Sequence, residues 1–133
     1  MELESQLSSL ELSNKLEKLG VKQESLYKWN VPELTDEEKE KGHGYLDSEL
    51  VPKLYTEDQW EAYTEDYIPP SSKMYSAFTV AELGEMLKEI DEPMPWHANG
   101  YWWFYEGETQ VSIDTEANAR AKMLIYLLEN KLI

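Results

Sequence analysis

The side chains able to do chemistry in this chain are carboxylates, two histidines and a dense set of aromatics; cysteine is absent. That absence removes disulfides, thiolate metal sites and cysteine nucleophiles together. His43 stands in an acidic stretch, and His97 falls in Trp96-His97-Ala98-Asn99-Gly100. Histidine ligands usually recur at close helical or loop spacing, and nothing in the sequence pairs these two. They read as loop histidines. No Gly-x-Ser-x-Gly elbow, phosphate loop or dinucleotide fingerprint occurs. A calcium loop needs alternating Asp or Asn around a central Gly, and neither 35–40 nor 47–49 fits. With 27 Asp and Glu, some carboxylates fall close together by abundance alone, so proximity does not mark an acid–base pair. The expectation is no catalytic residue, no metal and no cofactor.

Two features remain that could bind. The first is aromatic: Trp96, Tyr101, Trp102, Trp103, Phe104 and Tyr105 fall within ten residues. In a strand, Tyr101, Trp103 and Tyr105 share one face, and Trp102 and Phe104 the other. One set must enter the core; the other is free to meet a partner or ligand, because Trp and Tyr dominate binding hot spots. Five bulky rings in a row overfill one small face, so Trp96 and one of Trp102 or Trp103 are expected to be partly exposed. The candidate contact residues are Trp96, His97, Trp102, Trp103 and Tyr105. The second feature is charge. Residues 33–66 hold 12 acids against three bases, -9 of a formal net charge of -15. Glu37, Glu38 and Glu40 are the candidates for a surface that steers a basic partner, since acids select and speed encounter more than they hold.

The same charge disfavours contact with nucleic-acid phosphates or anionic membranes. Hydrophobic residues make up 41%, too many for a disordered acidic tail. No leader-like segment and no apolar run of membrane-spanning length is visible, so neither a signal peptide nor a membrane helix is expected. At 133 residues, a single domain 1–133 is expected, with 33–66 as an acidic, insertion-like segment.

The elements that must position these residues are read from periodicity. Ser8-Ser9-Leu10-Glu11 predicts a capping box with Ser8 as the cap, and Leu7 and Leu12 a hydrophobic staple. Leu12, Leu16 and Leu19 line one face of a helix over 9–19, ended by Gly20. Tyr27, Trp29 and Val31 alternate with Lys28 and Asn30, which predicts a strand with Lys28 and Asn30 turned outward. A short helical turn follows Thr35 and ends at Gly42. Residues 53–68 are ambiguous and lean towards a strand; Pro69-Pro70-Ser71-Ser72 is a break. Thr79 with Glu82, and Phe78 with Leu83, predict a capped and stapled helix over 79–90. Glu106-Gly107-Glu108 joins the aromatic strand to Thr109–Ile113 as a hairpin. A last helix runs from Asp114 or Thr115 to about 129. The expected fold is α+β: an antiparallel sheet of about four strands with three helices, in the order α-β-β-α-β-β-α. Leu16, Leu83, Leu87, Val111, Leu124 and Leu128 are expected in its core.

Three stretches taken together carry a resemblance. They are Leu12-Ser13-Asn14-Lys15-Leu16-Glu17-Lys18-Leu19-Gly20-Val21-Lys22-Gln23-Glu24-Ser25, the run Ser76–Leu87, and the closing run Thr115–Asn130. In these the chain resembles a group of small uncharacterised proteins encoded by bacteriophages and prophages. The resemblance covers about half of the chain and leaves 33–66 outside it. It implies a host bacterial cytoplasm and no particular reaction. The expected function is that of a non-enzymatic accessory protein that binds a host or phage protein, with homo-oligomerisation left open. The alternative is a small-molecule binder or minor enzyme with an aromatic-lined pocket around 96–105.

Overall fold

The computed structural model describes residues 2–42, 44–90 and 93–133. Among the described residues the fold is α+β, with five α-helices and six strands in two antiparallel three-stranded sheets. The helices are α1 (Leu10–Lys18), α2 (Asp36–Glu40), α3 (Glu57–Glu65), α4 (Val80–Leu87) and α5 (Glu116–Glu129). The strands are β1 (Tyr27–Pro32), β2 (Lys53–Thr56), β3 (Ser72–Ala77), β4 (Trp96–Ala98), β5 (Tyr101–Glu106) and β6 (Thr109–Ile113). The expected single sheet of four strands is therefore two sheets, ordered β2-β1-β3 and β4-β5-β6. The expected three helices are five.

The extra elements have identifiable causes. Residues 53–68 hold both a strand and a helix. Thr56 ends β2 and caps α3 through a box with Gln59 (Thr56 Oγ1 accepts from Gln59 N at 3.1 Å), so the capping signal and the β-rich composition were each right for half of it. After Pro69-Pro70 the chain enters β3, which pairs with β1 from Tyr27↔Ala77 to Pro32↔Ser72. Trp96-His97-Ala98 forms β4, because Asn99 (φ +55) and Gly100 (φ +83) make the two-residue left-handed turn that hairpins prefer.

The core lies among α1, α4 and α5. Leu12 and Leu16 of α1, Leu83 and Leu87 of α4, and Leu124 and Leu127 of α5 are buried together, with Phe78 and Phe104. Val111 and Leu128 are half-buried at its rim, outside the fully buried set expected for them; Leu127 takes the inner position on α5. The first sheet packs through β3 against α1, and the second packs through β5 and β6 against α5. The α1 cap is Ser9, whose Oγ accepts from Leu12 N at 3.3 Å. Ser8, expected as the cap, is fully buried instead. Its hydroxyl accepts from Phe78 N (3.0 Å) and bonds Ser13 Oγ (2.8 Å). Asn30, expected outward with Lys28, is also buried; its Nδ2 donates to Ser72 Oγ at 2.7 Å.

Candidate functional site

The aromatic strand β5 divides its rings between two faces as its period of two requires. Phe104 is fully buried in the core and Trp102 packs against it. Their cross-strand partners on β6 are Val111 and Ile113. This side faces α5. The opposite side carries Tyr101, Trp103 and Tyr105, joined by Trp96, which pairs across from Trp103. Trp96 and Tyr105 touch, with ring centroids 5.2 Å apart. Trp103 Nε1 donates to Ala98 O at 2.9 Å, which pins its indole flat along the hairpin. Trp96, Trp103 and Tyr105 are half-buried, and Tyr101 is 54% exposed.

The five candidate residues thus fall into two groups. Trp96, Trp103 and Tyr105 form one surface with Tyr101. His97 and Trp102 point to the α5 side, where their rings meet edge to face at 5.3 Å. His97 is exposed and Trp102 is half-buried. His43 lies outside the described residues. Among the described residues, no group of three or more His, Asp or Glu is arranged to hold a metal ion.

The three acidic candidates also separate. Glu38 closes the capping box of α2: its Oε1 accepts from Thr35 N (3.0 Å) and its Oε2 from Ser71 N (3.3 Å). Hydrogen bonds from the Ser71 side chain and the Thr35 backbone hold its carboxyl down at about 2. Glu37 pairs with Lys41 at 2.7 Å. Glu40 alone of the three has no partner among the described residues. Glu38 is an anchor that ties α2 to the start of β3.

Sequence reasoning missed a second aromatic cluster in the acidic segment and at its C-terminal border. Tyr55, Trp60, Tyr63 and Tyr67 form a chain of ring contacts 5.3–5.8 Å apart, and Tyr45 meets Tyr67 at 6.3 Å. Tyr67 Oη donates to Glu49 Oε2 at 2.9 Å. Desolvation, this hydrogen bond and the Glu49 charge push the Tyr67 phenol up to about 12. The signal was the spacing of Tyr55, Trp60, Tyr63 and Tyr67, legible only once 57–65 is read as a helix.

A groove of about 460 Å³ opens where α3 begins beside the first sheet, lined by Lys28, Trp60, Met74, Glu24 and Glu57 among others. Lys28 Nζ donates there to Ser76 Oγ at 2.9 Å. No helix among the described residues is long and apolar enough to cross a membrane. No family model, curated protein or solved structure matches the chain.

Proposed function

We propose that this chain is a non-enzymatic binding protein that takes a protein partner on the outer face of β4–β5–β6. The observation that carries the reading is the side-by-side placement of Trp96, Trp103 and Tyr105, with exposed Tyr101, on the side of the sheet away from α5. Large rigid rings give contact area at little entropy cost, which suits them to anchor an interface. Acidic residues elsewhere, Glu40 among them, steer a basic partner towards that face. The setting we propose is a bacteriophage or prophage accessory protein in a host cytoplasm, on the strength of the three resembling stretches.

The test compares wild type with Trp103→Ala as bait in a bacterial lysate, with far-UV circular dichroism to verify the fold. Proteins held by wild type should be depleted at least tenfold from the variant. A captured set unchanged by Trp103→Ala defeats the reading. The groove at Lys28 and Trp60 favours a second reading, a small molecule with a planar group. Saturable quenching of tryptophan fluorescence, abolished by Lys28→Met, is its expected signature.

A further inference from the structure

Sheets expose two edges, and proteins blunt them to prevent unwanted strand addition. Three of the four edges here are blunted. β2 is four residues long, follows Pro52 and starts with Lys53. On β3 the Ser76 N–H is taken by Gln23 Oε1 at 2.8 Å, and the chain beyond it is covered by Ser8 N bonding Phe78 O at 2.8 Å. β4 is three residues long and follows Pro93 and Pro95. The fourth edge, β6, reads Thr-Gln-Val-Ser-Ile, with no charge, proline, glycine or bulge.

The register says which groups are free. A two-residue loop closes on a bonded pair, here Glu106↔Thr109, so Phe104↔Val111 and Trp102↔Ile113 are bonded pairs too. Gln110 and Ser112 therefore turn their N–H and C=O away from β5. Both residues are exposed, and among the described residues no other backbone group bonds to theirs. Their side chains lie on the same face as Trp103 and Tyr105, with which they pair. Charge completes the description. No Lys or Arg occurs between Lys88 and Arg120, and exposed Glu108 and Asp114 bracket β6. They are six residues apart, about 20 Å of extended chain.

We propose that β6 accepts an extended basic segment of another protein as a fourth strand. The segment bonds Gln110 and Ser112 through its backbone. Its alternate side chains lie on the outer face, where Lys or Arg reaches across the short Ser112 side chain towards the Trp103 and Tyr105 rings. Its ends meet Glu108 and Asp114. A second copy of this chain is disfavoured as the occupant, because it would bring like charge to an edge already bracketed by acids. The proposal rests on the outer face of the second sheet being the binding face, and gives the mode and the partner's chemistry.

The probe is a fluorescein-labelled peptide, Lys-Val-Arg-Val-Arg-Val-Lys, titrated with the whole chain and followed by anisotropy. Two versions carry N-methyl groups on alternate residues in complementary registers, with charge unchanged. An added strand uses only one of its edges, so one version should bind at least tenfold more weakly and the other like the parent. Amide exchange at Gln110 and Ser112 should slow on binding. Ser112→Pro, which removes an N–H outside the β5 ladder, should weaken binding at least tenfold with the circular dichroism spectrum retained. No binding of the parent peptide, or equal binding of all three peptides, overturns strand addition. If the methyl groups have no effect yet Trp103→Ala weakens binding, the edge mode fails and the aromatic face survives. If Trp103→Ala also has no effect, both fail. Dimerisation of the chain that Ser112→Pro abolishes puts a second copy at the edge and overturns the basic occupant.

Discussion

Ser8 and Ser9 are adjacent and chemically identical, yet they do different work. Ser9 caps α1 at its half-buried start, while Ser8 is an internal junction bonded to Ser13 and to the Phe78 amide. Removing a cap costs about 1 kcal/mol. Leaving a buried amide without its acceptor costs roughly 1–3 kcal/mol. Chemical denaturation should therefore find Ser8→Ala more destabilising than Ser9→Ala. Glu38 supplies a pH test. Its carboxyl sits at about 2 in the folded protein, below the ordinary glutamate value of 4.5. A depressed folded value means that its stabilisation is present above about 4.5 and is lost as pH falls from there towards 2. The melting temperature of Glu38→Gln should thus lie below that of wild type at pH 7, and the gap should close across that window. A gap independent of pH would show that the carboxylate charge is not what anchors α2.

At the scale of elements, α5 is the member most others lean on: it packs against α1, α4, β5 and β6. Leu124 is 3% exposed on its inner side, so Leu124→Ala should cost roughly 2–5 kcal/mol by equilibrium unfolding in urea. A cost below 1 kcal/mol would mean that the site collapses around the smaller side chain. α4 was legible because apolar spacing and its capping box, Thr79 with Glu82, agreed, and α1 and α5 followed from apolar spacing alone; α3, as long as α1, was missed. The short strands were not legible. β4 has three residues, too few to show a period, and its one local signal was Asn99-Gly100. β3 was hidden behind Pro69-Pro70, since its strand character comes from β1 rather than from its own alternation. Gly107 has two reasons to be glycine: φ is +64, and a Cβ there would meet Tyr126 Oη at 2.9 Å. Its place in a hairpin turn was readable; the tyrosine against it was not. At the candidate site, the split of β5 into two faces followed from alternation. Which face was outward depended on α5, a long-range contact.

Over the whole molecule, charge is poorly compensated. The ion pairs Lys22–Glu24, Lys41–Glu37 and Lys88–Glu85 are exposed, and Arg120–Glu116 is the more sheltered one at 3.3 Å. Exposed pairs contribute little, so self-repulsion from a net charge of -15 acts almost unopposed. Raising NaCl from about 0.02 to about 0.3 M should lift the melting temperature by roughly 2–5 °C through screening. A flat or falling melting temperature would show that the acids are better paired in solution than these contacts indicate.

The start of α1 is tied to the far end of the chain: Ser9 N donates to Asn118 Oδ1 at 2.9 Å, across 109 residues. The consequence is one of timing. While the polypeptide is being synthesised, α1 emerges first but has neither Asn118 nor the buried face of α5 to dock on. Its packing on β3 needs no residue beyond 77, but its α5-facing side stays uncovered until residue 118 and the helix beyond it exist. Synthesis of α5 therefore completes the burial of α1 rather than starting it.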